Sequence, residues 1–273
     1  MECKNFLSLF KRLLQEWADK GKSLEMPLQE WLKKDKKYKA AKEDKNESSS
    51  EPSSSKQERE MLVFDFDTVM KNFCAKINIL TLSSVDGLYL DEKQNIIYLL
   101  EMKSVDSHLK DYSESTSEST MSPEERLESM SPEERFESIK KFLLEGEDDL
   151  SDSDSELKND KKKKKRSTLA DKVGNSYTSF FAMFGYGAEG VALNSSDNLP
   201  LVRCLLDKKQ FKICYVIVVD IQSEDWVKWK LSLLSDLKRG IAHGFLGSDI
   251  QLRTVDKIYE ISENASSSVD QNH

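Results

Sequence analysis

Apolar positions along the chain fall into blocks of different period, separated by stretches that carry almost none. Phe6, Leu7, Phe10, Leu13, Leu14 and Trp17 recur every three or four residues, with Lys4, Lys11, Arg12 and Glu16 between them. That is the spacing of an amphipathic helix and not the unbroken apolar run of a signal peptide. The helix is expected to end near Gly21, and a second one to carry Pro27 in its first turn with Leu28, Trp31 and Leu32 on one side. Residues 1–42 are therefore expected to form a helical hairpin, an arm that packs on the core or serves a protein partner, a second copy of the chain or a membrane surface. Residues 43–58, with Ser48, Ser49, Ser50, Ser53, Ser54 and Ser55 around Pro52, hold too little apolar surface to offset chain entropy and predict a disordered linker. Helical spacing resumes near Glu60 with Met61, Leu62, Val69, Met70, Phe73, Cys74 and Ile77.

The period then changes to that of strands over 79–103, with 91–95 as the turn, completing a first core segment over 59–106. Residues 107–166 change character again. Two copies of a nine-residue unit, MSPEERLES from Met121 and MSPEERFES from Met130, precede a serine-rich acidic run and then Lys161 to Arg166. Each unit opens as a helix start, but two short copies cannot build a solenoid, and the whole stretch predicts a disordered or loosely helical insertion. A second core segment, 167–262, follows: a helix over 167–184, a strand over 211–221 apolar on both faces, a helix over 223–239 and a strand over 250–261. Residues 263–273 read as a disordered tail. Helices alternating with strands imply an α/β domain.

Composition agrees with one domain that does not use the whole chain. Only 38% of the 273 residues are apolar, below the roughly 45–50% of a globular average. Cys3, Cys74, Cys204 and Cys214 show no paired spacing, so neither a zinc site nor a disulfide framework is indicated, and buried thiols in an intracellular, reducing compartment are expected. No segment approaches the about 18–20 apolar residues of a membrane span. A net charge of −8 excludes a uniformly basic nucleic-acid coat, leaving local patches such as Lys161 to Arg166. That run reads as a charge-balanced linker, a nucleic-acid tether or, in a eukaryotic host, a nuclear import signal.

Candidate chemistry lies in SSVDGLYLDEKQNIIYLLEMKS, residues 83–104. A four-residue loop over 92–95 sets Asp91 opposite Ile96, and the same register carried back sets Asp86 opposite Glu101. Opposed carboxylates repel unless a cation lies between them. Lys103 falls on the face of Glu101 by strand alternation. Two acids and one ammonium are the groups that Mg²⁺-assisted phosphodiester hydrolysis requires: hard oxygen ligands, and a fixed positive charge beside the reacting phosphorus.

In Asp86, Glu101 and Lys103 the chain resembles the PD-(D/E)xK nuclease superfamily, with Val85 where that family often carries proline. The resemblance implies a restriction-endonuclease-like αβββαβ core around a mixed sheet, Mg²⁺ or Mn²⁺ held by Asp86, Glu101 and the Met102 carbonyl, and DNA as the substrate. It also implies a further acid on the first helix, for which Glu60, Asp65 and Asp67 are candidates, and a polar residue on the helix after the lysine strand. Lys172, Asn175 and Ser176 share one helical face in that position.

Two other readings compete with a nuclease. The same fold could act as a catalytically inactive interaction module. Alternatively, LVFDFDTV over 62–69 matches the nucleophile motif of haloacid-dehalogenase-like phosphatases, with Asp65 attacking phosphorus and Asp67 as the acid. His108 and His243 have no second ligand at metal spacing and read as surface or packing residues.

Overall fold

A computed structural model of the chain describes residues 6–17, 24–34, 61–81, 83–115, 122, 125, 128–145, 168–186, 212–221, 226–241 and 249–263. The elements, in order, are α1 (Phe6–Glu16), β1 (Glu25–Pro27), α2 (Leu28–Lys34), β2 (Leu62–Asp65), α3 (Phe66–Lys76), β3 (Gly87–Asp91) and β4 (Ile96–Lys103). Then follow α4 (Val105–Ser115), α5 (Pro132–Glu145), α6 (Leu169–Tyr186), β5 (Lys212–Val219), α7 (Trp226–Ile241), β6 (Asp249–Thr254), a 3-10 turn over Val255–Lys257 and α8 (Glu260–Glu263). Among the described residues, no helix is long and apolar enough to cross a membrane.

The six strands form one mixed sheet in the order β1-β2-β3-β4-β5-β6. Neighbours from β1 to β4 run antiparallel, whereas β5 lies parallel to β4 and β6 parallel to β5. The long crossover between β4 and β5 carries α4, α5 and α6, and α7 joins β5 to β6. Strand alternation divides the core into two. On one face Leu88, Leu99, Tyr215 and Ile217 meet Phe10 of α1, Phe73 of α3, Phe142 of α5, Phe180 of α6 and Leu233 of α7. On the other, Tyr98, Leu100, Val216 and Val218 meet Trp31 of α2 and Ile258 and Ile261 near the C-terminal end of the described chain. The strand β5 is buried on both faces, as its unbroken apolar run requires.

Four expectations need correction. The N-terminal segment packs on the core through Phe6, Phe10, Leu14 and Trp17, one of the alternatives expected, but it is not a simple helical hairpin: Glu25–Pro27 add an edge strand paired with β2. An edge strand tolerates Pro27 because the missing N–H faces no neighbour. The apolar positions of both helices are thus buried within the chain and not offered to a partner. Second, the helix expected from Glu60 begins only at Phe66, because Leu62–Asp65 are the strand β2 and Asp65 caps the helix; four residues are too few to show a period.

The insertion expected over 107–166 contains most of α4 and all of α5, and Ile139, Phe142 and Leu143 of α5 are fully buried. Those three sit at helical spacing, a stripe that the surrounding charge obscures. Lastly, the final strand stops at Thr254, where the chain turns into the 3-10 segment. The linker at 43–58, the run Lys161–Arg166, His243 and nearly all of the tail lie outside the described residues.

Candidate active site

The hairpin of β3 and β4 is closed by its turn chemistry. Asp91 Oδ1 accepts hydrogen bonds from the backbone N–H of Lys93 (3.0 Å) and Gln94 (3.1 Å), and Asn95 takes the left-handed conformation at φ 54°. Asp91 pairs with Ile96 and Gly87 with Leu100, as the sequence register required. One step further, Asp86 meets the Glu101 end of β4: its Oδ2 accepts from the N–H of Met102 at 2.7 Å. Met102 thus enters the site through its amide.

The opposed carboxylates have their cation in Lys172, one turn into α6. Its Nζ lies 2.6 Å from Glu101 Oε1 and 3.6 Å from Asp86 Oδ1, and Lys103 Nζ lies 3.5 Å from the same Glu101 oxygen. Lys103 is further held over the ring of Phe142, 5.3 Å from its centroid. Two acids and two ammonium groups therefore balance at the end of the sheet where the antiparallel hairpin meets the parallel strands. The expectation of Asp86, Glu101 and Lys103 on one face corresponds to this cluster. Lys172, expected only as one of three polar residues on that helix face, is an integral member of the cluster.

The polar face of α6 also holds the segment that leads into Asp86. Asn175 Nδ2 donates to Ser83 Oγ at 2.9 Å, and the buried Ser176 Oγ accepts from the N–H of Val85 at 3.0 Å. Lys172, Asn175 and Ser176 thus act from one helical face on three consecutive parts of the same site.

Burial dominates the electrostatics. Glu101 is wholly enclosed. Desolvation, with the charge of Asp86 adding to it, pushes its carboxyl up to about 7 against the pull of Lys172 and Lys103. For Lys172 burial works downward, yet the charges of Glu101 and Asp86 and the hydrogen bonds outweigh it, and its pKa is raised. While Glu101 Oε1 is engaged by both lysines, Oε2 is buried and has no hydrogen-bond partner among the described residues.

The remaining candidates lie elsewhere. Asp65 is opposite Gly87 at the end of β2, and its carboxylate is committed to capping α3 through Thr68 N (3.1 Å) and to Lys34 (2.9 Å). Asp67 pairs with Lys71 one turn on. Neither joins Asp86 and Glu101. Glu60 is outside the described residues. His108 stacks on Phe142 with centroids 4.2 Å apart and its Nε2 is 3.1 Å from Ser138 Oγ, a packing role. Two residues next to the site gave no warning: Phe142, within a charged stretch, and Tyr215, within an apolar strand. A third, Asp220, directly follows β5 and accepts from Ser104 Oγ and from the N–H groups of Val105 and Asp106, fixing the chain just after Lys103. An acid ending an apolar strand was the one available sign of it.

Among the described residues, no group of three or more His, Cys, Asp or Glu is placed to hold a metal ion. The oxygen donors that the cluster brings together are the two carboxylates of Asp86 and Glu101, and Mg²⁺ is commonly bound through one or two carboxylates with water in the other positions. No family model, curated protein or solved structure matches the chain.

Proposed function

We propose that the protein is a metal-dependent nuclease that hydrolyses phosphodiester bonds, with DNA as its substrate. The observation that carries this reading is the meeting of Asp86 and Glu101 with Lys103 and Lys172 at one end of the sheet. A part of the element order supports it: with β1 and α2 set aside, α1, the antiparallel strands β2, β3 and β4, then α6 and the parallel strand β5 can be matched to the αβββαβ order of the PD-(D/E)xK superfamily. Here α3 stands between β2 and β3, and α4 and α5 precede α6. The run Lys161–Arg166 would add sequence-independent attraction to phosphates and, in a eukaryotic host, nuclear import of an intracellular protein.

Asp86, Glu101 and the Met102 carbonyl would hold Mg²⁺ or Mn²⁺, which supplies Lewis-acid polarisation of the phosphoryl oxygens. The chain's own groups do the rest. Lys103, restrained by Phe142, presents an ammonium to the attacking water and to the charge that builds on phosphorus. Lys172 keeps the two acids together, and would have to release Glu101 Oε1 for a bound ion to use that oxygen. Enclosure of Glu101 lowers the local dielectric and strengthens each of these interactions.

One observation favours a second reading. Lys172 already supplies the positive charge between the carboxylates, so the cluster could be a permanent structural brace in a nuclease-like interaction module. Plasmid, single-stranded DNA and RNA incubated with Mg²⁺ or EDTA separate the two. The nuclease reading expects Mg²⁺-dependent cleavage lost in Asp86→Ala, Glu101→Ala and Lys103→Ala. Equal cleavage by wild type and Lys103→Ala rejects the site, and no cleavage with no divalent-ion binding leaves the brace.

A further inference from the structure

Tyr215 lies midway along β5, between β4 and the edge strand β6, and the mechanism above does not use it. It pairs with Leu99 on β4 and Ile250 on β6, while Glu101 pairs with Ile217. Alternation puts Tyr215 on the same face as Ile217, and hence on the face of Glu101, as diagonal neighbours within reach of long side chains. The ring is fully enclosed, and its hydroxyl has no hydrogen-bond partner among the described residues. Glu101 Oε2 is in the same position. Two buried polar atoms left without partners on adjacent strands are rare, because each has given up its hydrogen bonds to water with nothing in return. A shared water is the usual resolution of such a pair.

We propose that Tyr215 is a positioning residue: its hydroxyl and Glu101 Oε2 are joined through one enclosed water, which fixes the carboxylate from behind. The phenol can donate toward a carboxylate or accept from a carboxyl, so the link holds in both protonation states of Glu101. With Oε2 tied to Tyr215, Oε1 is turned toward Lys172, Lys103 and the place of an incoming cation. The electrostatics are consistent, since after burial it is the charges of Glu101 and Asp86 that push the phenol's pKa up. Only the expected effect on cation binding rests on the nuclease reading; the link to Glu101 does not.

The test compares full-length wild type, Tyr215→Phe and a packing control, Ile250→Val, which alters the cross-strand neighbour of Tyr215 and leaves its hydroxyl in place. Protein labelled with ¹³C at glutamate side-chain carboxyls is examined by infrared difference spectroscopy in EDTA, the Glu101 band being identified by its loss in Glu101→Gln. The expected result is a shift of that band in Tyr215→Phe and none in Ile250→Val. A second arm follows Mn²⁺ by electron paramagnetic resonance, and an affinity about tenfold or more weaker is expected in Tyr215→Phe alone. An unmoved band overturns the link, all the more if Tyr215→Phe melts above wild type, as removal of an unpartnered hydroxyl would make it. Absence of Mn²⁺ binding to wild type would overturn the nuclease reading, and the infrared arm would still decide the role of Tyr215.

Discussion

Lys172 Nζ lies 2.6 Å from Glu101 Oε1, joining residues 71 apart in the chain at a point where the glutamate is completely enclosed. The glutamate would not remain charged there alone, because an isolated buried charge costs several kcal/mol. Asp86, 3.6 Å from the same ammonium, adds a second acid, and Lys103 a second base. The cluster is therefore neutral as a whole when all four groups are ionised. A divalent cation entering it must displace an ammonium as well as water.

That competition gives a first expectation for Lys172→Met. Breaking a buried pair costs about 3–5 kcal/mol, but Lys172 keeps some contact with solvent, so a loss of about 2 kcal/mol is expected. It should show as a lower urea midpoint with an unchanged slope. Mn²⁺ should then raise the midpoint of the variant more than that of wild type, since the competing ammonium is gone. Equal stabilisation of both by Mn²⁺ would separate Lys172 from the cation site.

Glu101 predicts a pH dependence. A carboxyl raised to about 7 holds its proton more tightly in the folded than in the unfolded chain. Its contribution to stability is thus complete below the ordinary glutamate pKa of about 4.3 and is lost as pH rises through about 7. The contribution of Lys172, whose pKa is also raised, is constant here because it is lost only above the ordinary lysine value of about 10.4. In EDTA, the difference in unfolding free energy between wild type and Glu101→Gln should fall between pH 5 and 7, by up to about 1 kcal/mol per pH unit. A difference that rises with pH would mean that the lysines outweigh burial.

The hairpin and its register were legible because local chemistry sets them: Asp91 and Asn95 fix the turn, and alternation does the rest. Lys172, Asn175 and Ser176 were legible as a face by helical period. Phe142 and Tyr215 were not, for opposite reasons. Phe142 lies in a segment whose charge masks its three-residue apolar stripe, and Tyr215 lies in a strand so apolar that no alternation marks which face it looks out on. The strand β2 was missed for its length, and β1 because its pairing with β2 crosses a long polar stretch. What the sequence left open was long-range pairing, which local pattern does not encode.

Gly87, next to Asp86, is a site where α2 and the hairpin meet. A Cβ placed there would come within 2.7 Å of the Trp31 ring, and that ring is buried. Gly87→Ala should therefore cost about 1–3 kcal/mol by overpacking. Trp31→Leu, itself destabilising, should reduce the cost of Gly87→Ala, so a double-mutant cycle by urea unfolding should give a favourable coupling. Additive effects would show that the ring yields freely.

Ser176 tests whether α6 positions the site or only covers it. Its buried hydroxyl accepts from the Val85 N–H, one residue before Asp86. Ser176→Ala leaves that N–H enclosed without a partner, at a cost of about 1–2 kcal/mol. Ser179 is the control, because its hydroxyl donates to the Asn175 carbonyl within the same helix, and its loss exposes no new orphan donor. Ser179→Ala should change stability by less than about 0.5 kcal/mol. Amide hydrogen exchange at Val85 and Asp86 should accelerate in Ser176→Ala and stay as in wild type in Ser179→Ala. Equal exchange in both variants would mean that the segment leading into Asp86 is held by β2 and β4 without help from α6, and that Lys172 reaches the acids from a helix that merely lies above them.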